Sequence, residues 1–546
     1  MKKTFTLFAS LSCMFLLGIT TSRAQSSSTS QGGNPAPQFM TDITVEANMF
    51  ANQRHVRIGA AFNGWVFAAY LVNDSVSQKG GVVVRYSKNG GINWLPMNSY
   101  PYYDHSIYTN CDLTIVGKDS TNLAVFVGMS REDLITKKYE VEVLKYTPYH
   151  TAFPPTVTYF QQLDTNKVMD LALTNDYKTP ATGDLTYGLG LLYDHHGPVT
   201  DSLIFVTTKM KSSNLLGKSR VLATAPHLRK ITLAFSSSQT AHKGTYLAAW
   251  ESLDSTKSVF GHIMLSRTVL RTDSVWTTPT FVDSLNPSFG DMLRSPSLAA
   301  QYNNNDNDST NATGVIVFEA PRNGHADSLD ILGFYNKRCD STDFWNSFTL
   351  AASTDNEKQP NVNFDASNNQ FLVTYYDSTT GGISYATQLE LFTTPSSWTT
   401  VNAHCNDNTA NLKAPWPRVV INPLSKKAFL AWVIEATNKN GVVKCDGEYL
   451  FTGIEEAVAS GLSISMPYPN PASSQVLISL QSTQQTDLRL SLYNLLGEQV
   501  GNDQKIHLVG GEQQIALSVN ELASGVYICS MESENFKKTF RLVVQH

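Results

Sequence analysis

From residue 40 to residue 452 the chain is written in short runs where apolar positions alternate with polar ones or fill the run entirely. No stretch there repeats its apolar residues at the three-to-four spacing of an amphipathic helix, so strands are the expected elements. The runs recur in a fixed order. A proline precedes a short strand at Pro226, Pro296, Pro360 and Pro417, and an apolar strand with an aromatic end follows each ("TYLAAWE", "GVIVFEA", "FLVTYYD", "AFLAWVI"). A third strand closes each unit: "FGHIMLS", "ILGFYNK", "GGISYAT" and "GVVKCDG". Three earlier units follow the same order without the proline, beginning at "VRIGAAFNGWVFAAYLV", "CDLTIVGKDSTNLAVFVG" and "MDLALTN".

Seven units of three or four strands, each of roughly 50–70 residues, point to radial stacking, because one such sheet cannot bury both of its faces alone. The expected fold class is therefore all-β: a β-propeller of about seven blades over residues 40–452, followed by a small β-sandwich over 453–546. The last unit lacks an outer strand, while "TDITVEANM" at 41–49 is β-prone and lies ahead of the first unit. That segment is predicted to pair into the seventh blade and close the ring, which removes an exposed edge.

The two ends differ in texture from the middle. Lys2 and Lys3 precede an apolar run from Phe5 to Ile19, and Ser22-Arg23-Ala24 presents small residues at the expected cleavage positions. Residues 1–24 are thus expected to be a signal peptide cut between Ala24 and Gln25. Residues 25–39, rich in Ser, Gln, Gly and Pro, read as a disordered leader. Beyond the signal no apolar run approaches the ~20 residues of a spanning helix. No transmembrane segment is expected in the mature chain.

Composition narrows the function classes. With 41 basic and 46 acidic residues among 546 the net charge is only -5, and no Lys/Arg run occurs. Nucleic acid is therefore not an expected partner. Five cysteines follow the signal segment, in no zinc-like spacing. Cys405 and Cys445, read as lying in one repeat, are the candidate disulfide, and isolated buried thiols are the alternative.

The C-terminal region opens with Tyr468-Pro469-Asn470-Pro471-Ala472 and continues through "LRLSLYN", Leu496-Gly497-Glu498, "LASGVYICSM" and a final "FRLVVQH". Seven short alternating strands with Gly and Asn turns argue a small sandwich. These ordered motifs resemble the type A sorting domain of type IX secretion, over about the last 85 residues. The resemblance implies periplasmic transit, the type IX translocon as partner, and an extracellular or outer-surface destination.

In the first unit Ser87, Asn89, Gly91 and Trp94 fit the Asp-box phrase S-x-D-x-G-x-x-W, a hairpin in which Asn89 accepts turn N–H groups, Gly91 takes a positive φ and Trp94 packs beneath. The phrase is similar to that of sialidases and BNR-repeat proteins. Val56-Arg57-Ile58-Gly59 stands where sialidases carry F/Y-R-I-P, with Gly59 in place of the proline. The resemblance implies three arginines gripping a carboxylate, for which Arg57, Arg294 and Arg418 are the candidates, since guanidinium forks bind carboxylates bidentately. It also places Asp74, Glu319 and Tyr385 as candidate acid/base, activating carboxylate and nucleophile.

His195-His196 offers imidazoles that a strand would turn to opposite faces, and a polar loop is the plainer reading. The run "NNNDNDSTN" at 303–311 offers oxygens for calcium but reads more simply as a solvated insertion. No cofactor is otherwise expected. The working function is a non-catalytic module binding an extracellular glycan or protein, with a sialidase-type glycoside hydrolase and a structural surface component as alternatives.

Overall fold

In the computed structural model the described residues are 38–39, 42–46, 52–449 and 462–546, less short inter-strand segments within the last two ranges. Ala24 and Gln25, nearly all of the expected leader, the 303–311 run and Tyr468 to Pro471 lie outside them. Between residues 38 and 449 the strands form seven antiparallel sheets of four or five strands.

The sheets succeed one another in chain order, and seven apolar clusters join them. One cluster unites Phe67, Ala69 and Leu71 of blade 1 with Val125, Val127 and Met129 of blade 2. Others join blades 2 and 3, 3 and 4, 4 and 5, 5 and 6, and 6 and 7. The last brings Val420, Phe429 and Ala431 of blade 7 against Val66, Ala68 and Tyr70 of blade 1, so the ring closes. Strand alternation explains this arrangement. Along Val66–Asp74, odd-numbered residues enter the core shared with blade 2 and even-numbered residues the core shared with blade 7. Second strands consequently read as unbroken apolar runs, since both faces are buried. The fold is a seven-bladed propeller.

The N-terminal segment ties the ring. Ile43 pairs with Cys445 and Thr44 with Lys444 on strand Gly441–Tyr449. Gln38–Phe39 pairs with Tyr449 and Glu448 on the same strand, so ordered pairing starts inside the stretch expected to be leader. Glu46 then fastens the segment to blade 1. It accepts the Tyr70 hydroxyl proton at 2.5 Å and pairs with Arg85.

The phase of the repeated proline needs correction at one point. Pro296 and Pro360 lie at the start of inner strands Arg294–Ala300 and Glu357–Asp365, where a bulge leaves the ladder and no N–H is required. Pro417 directly precedes Arg418–Asn422. Pro226 falls earlier, ahead of Leu228, and the blade 4 counterpart of Pro296 is Ile231.

Cys405 and Cys445 are buried thiols that form no disulfide with each other, against the expected bridge. The first packs between blades 6 and 7 and the second between blades 7 and 1, on opposite sides of one sheet. Burial pushes the Cys445 thiol well above its ordinary range.

The C-terminal residues form two antiparallel sheets. Leu462–Ile464, Gln475–Ser482 and Gly511–Ser518 make one. Gln504–Leu508, Thr486–Asn494, Gly525–Ser533 and Phe536–Val544 make the other. Their alternating residues, among them Val476, Ile478, Leu488, Leu490, Met531 and Leu542, meet in one core that also holds Cys529. Ala472 is buried at its edge and donates its N–H to Val543. No helix among the described residues is long and apolar enough to cross a membrane.

Candidate functional site

The first strand of each blade faces the ring's axis, and together these strands enclose a cavity of about 460 Å³. Five inner strands share one irregularity near their start. His55, Lys230, Ser295, Gln359 and Trp416 take positive φ angles of 55, 51, 52, 55 and 44°. Each costs of order 1 kcal/mol or more for a residue with a Cβ. Pairing starts or resumes two residues on, as Arg57 opposite Ala69, Thr232 opposite Ala249, Ser297 opposite Val317, Asn361 opposite Thr374 and Arg418 opposite Ala431. Such bulges redirect side chains. His55, Lys230 and Trp416 form one layer of the cavity wall, and Arg57, Thr232, Ser297, Asn361 and Arg418 the next.

Side chains of that second layer stitch blade to blade. Thr232 accepts the Leu298 N–H, Ser297 that of Val362, and Asn361 that of Val419. Asp112 of blade 2 does the same for Leu173 at 2.7 Å and also pairs with Arg57 at 3.2 Å. In the outer layer Asp170 accepts the Lys230 N–H and the Asn110 amide. Both cavity acids near the bulges are thereby engaged with neighbours.

The basic groups are less well matched. Arg418 lines the cavity, its Nε is buried without a hydrogen-bond partner, and no acid pairs with it among the described residues. Burial, with Arg57 adding repulsion, pushes its pKa down to about 9. His55 is pushed down to about 3 by burial and then by Arg57, Arg54, Lys230 and Arg418, so it is neutral near pH 7. The Lys230 ammonium crosses from blade 4 to blade 7 and rests 4.1 Å from the centre of the Trp416 ring. At the other end of the cavity Tyr177 of blade 3 and Tyr302 of blade 5 stack at 3.5 Å, bridging in front of blade 4 and narrowing that end. Burial pushes Tyr177 up to about 12.

The residues singled out by sequence divide accordingly. Arg57 and Arg418 come together in the cavity wall. Arg294 stands before its bulge, in the ladder position that Arg54, Arg229 and Lys358 hold in blades 1, 4 and 6. It belongs to a basic rim, one step outside the pair. Glu319 lies opposite Arg294, is buried, and accepts the Gln359 N–H at 2.7 Å. Glu251 holds the Ser295 N–H in the same manner, so both glutamates latch a bulge of the following blade. Burial, and then the nearby Glu251, raise the Glu319 pKa. Tyr385 is buried on a third strand, edge-on to Phe39 at 6.3 Å, and Asp74 ends a second strand opposite Lys79. Neither lines the cavity.

Ser87, Asn89, Gly91 and Trp94 form a tight turn after strand Lys79–Ser87. The Ser87 hydroxyl accepts the Gly91 N–H at 2.8 Å, Asn89 accepts the Asn93 N–H, and Trp94 packs on Phe429. Gly91 has φ 95°, and a Cβ there would strike the Phe429 ring. The turn lies outside the cavity. His196 sits between buried Asp194 and Asp201, at 3.0 and 2.8 Å, and the Asp194 hydrogen bond raises its pKa. Among the described residues no three His, Cys, Asp or Glu side chains are placed to share a metal ion.

Residues 467–545 match the family described as the secretion system C-terminal sorting domain. The C-terminal sandwich is thus a sorting domain, and the protein is exported by type IX secretion to the cell surface or the extracellular space. No curated protein matches the chain. Solved structures similar to it include a Dyadobacter fermentans protein of unknown function, with 10% identity over 76% of this chain and 100% of that one, at a TM-score of 0.40. A Fusarium graminearum α-L-arabinofuranosidase in complex with an iminosugar inhibitor gives 10% identity over 76% and 98%, at 0.41. A Trypanosoma rangeli sialidase mutant displaying trans-sialidase activity gives 8% over 93% and 89%, at 0.35. Likenesses this distant carry no weight for chemistry.

Proposed function

We propose that this exported propeller is a non-catalytic binding module whose central cavity takes the acidic group of an extracellular saccharide. What carries the reading is Arg418. A guanidinium keeps its proton at physiological pH, yet this one lines a cavity beside Arg57 with its Nε unpartnered. An incoming carboxylate supplies the missing anion, and forked N–H donors suit it geometrically. Arg54, Arg294 and Lys358, at the ladder position before the bulges, add positive charge on this side of the arginines that favours approach of an anion, while Arg229 at the same position is paired with Glu251.

Binding is favoured over turnover by how the cavity's other groups are used. Asp112 and Asp170 are engaged with Arg57, Asn110 and backbone N–H groups. Tyr177 and Tyr302 are stacked on each other, and burial holds both phenols protonated. The volume suits a mono- or disaccharide, and the hydroxyl and amide groups of Thr232, Ser297 and Asn361 suit sugar hydroxyls. Calorimetric titration of the mature protein with glucuronate- and sialate-terminated oligosaccharides, beside matched neutral ones, tests the proposal. Saturable binding of acidic sugars that Arg418→Met abolishes is expected. Equal binding of neutral sugars, or turnover of the acidic ones, would overturn it.

A further inference from the structure

The contact between Lys230 and Trp416 has no role in holding neighbouring blades together. Blades 4 and 7 lie three places apart in a ring of seven, so this cation–π contact spans the cavity rather than joining adjacent sheets. Both side chains are half-buried and line the cavity, one layer outside Arg57 and Arg418. Both are presented by residues with positive φ at the head of their inner strands. The backbone beneath Lys230 is anchored, because its N–H is held by Asp170. Its side chain is held by the indole face alone among the contacts described.

On this side of the arginines the cavity is crossed by that contact. An ammonium over an indole is held by the ring quadrupole, worth about 0.5–2 kcal/mol, whereas a carboxylate offers it a full opposite charge. The exchange therefore runs toward an acidic ligand and not toward a neutral one. Once the ammonium leaves, the indole face is free to stack on the apolar face of a sugar ring.

We propose that Lys230 and Trp416 form a clasp across the cavity mouth, opened when the acid group of the ligand draws the lysine off the indole, and that these two residues set the preference for acidic over neutral sugars. The inference rests on the cavity being a saccharide site. Atoms already described suffice for it; no covalent step is involved.

The test uses the mature full-length protein, its Lys230→Met and Trp416→Phe variants, and a glucuronate-terminated disaccharide as probe. Stopped-flow tryptophan fluorescence should show association with Lys230→Met faster by about 2- to 30-fold, the equivalent of the ~0.5–2 kcal/mol contact. Dissociation should be faster as well, because the carboxylate loses its lysine. Trp416→Phe should lose most of the fluorescence change. A ligand-free arm compares acrylamide quenching. The part of the emission that Trp416→Phe removes should be at least about twice as quenchable once Lys230 is methionine. Unchanged rates in both variants, while Arg418→Met abolishes binding, would overturn the clasp and leave the cavity site standing. Absence of disaccharide binding by the unaltered protein would overturn the site itself. Unchanged quenching would overturn the clasp independently of any sugar.

Discussion

Replacing Arg418 with methionine should make the ligand-free protein more stable. The fall of the Arg418 pKa from 12.5 to about 9 corresponds to ~5 kcal/mol of penalty on the charged side chain, at 1.36 kcal/mol per pKa unit. Arg418 is still partly exposed, on the cavity it lines, and water there screens the penalty by a factor of roughly two to three. About 2 kcal/mol remains. Methionine keeps the apolar stem, removes the unpartnered Nε, and takes away the charge that faces Arg57. For a ring of this size the gain is expected as ~2–4 °C in the midpoint of the propeller's transition, read by calorimetry on the mature chain. Saturating acidic saccharide should reverse the order. At a hundredfold excess over Kd the unaltered protein gains ~2.7 kcal/mol and the variant gains nothing. A variant that melts below the unaltered protein without ligand would show the guanidinium to be compensated already, and the anion site would lose its basis.

Affinity for acidic sugars should hold from pH 6 to 8 and fall as pH rises through about 9, where Arg418 gives up its charge; the fall should vanish in Arg418→Met, by titration across that range. His55, with its pKa near 3 in the fold and about 6.5 in the unfolded chain, binds a proton more readily once unfolded. Stability is therefore lost as pH falls below 6.5, by ~2 kcal/mol at pH 5 from this residue, and His55→Gln should flatten that limb of a urea-unfolding profile. Glu46→Gln removes a charged acceptor shared by Tyr70 and Arg85 and should cost ~2 kcal/mol; amide exchange should quicken in Gly441–Tyr449 before it does elsewhere in the ring. Deleting residues 467–545 should strand the propeller in the periplasm on cell fractionation, and its undiminished appearance outside the cell would contradict the sorting assignment.

Much of the ring was legible in the sequence because its physics is local. Val66–Asp74 reads as apolar throughout since each of its faces meets a different blade, and Pro296 and Pro360 mark bulges where an N–H would go unused. Ile43, too, could be matched to an edge lacking a strand. The site was harder. Arg57 and Arg418 share a ladder position, and counting from the bulge would have separated them from Arg294, which precedes it. Glu319 is hard to read for a related reason: its carboxylate accepts a backbone N–H of the next blade, and nothing in its own strand announces that role. Lys230 and Trp416 meet across the full ring, a contact that no periodicity encodes. Trp416 carries one visible signal, since it precedes a repeated proline as Ser295 and Gln359 do, whereas Lys230 is followed by Ile231 and carries none.

The strand that locks the circle precedes every blade in the chain, and its partner, Gly441–Tyr449, is the last strand of the ring. A polypeptide interrupted anywhere before that partner leaves its own beginning without a mate, however well the intervening sheets have formed. The same interruption deprives it of the export tail. The circle can therefore shut only after Gly441–Tyr449 has been made, and the address at residues 467–545 follows it, so a chain that carries the address also carries the strand that closes the ring.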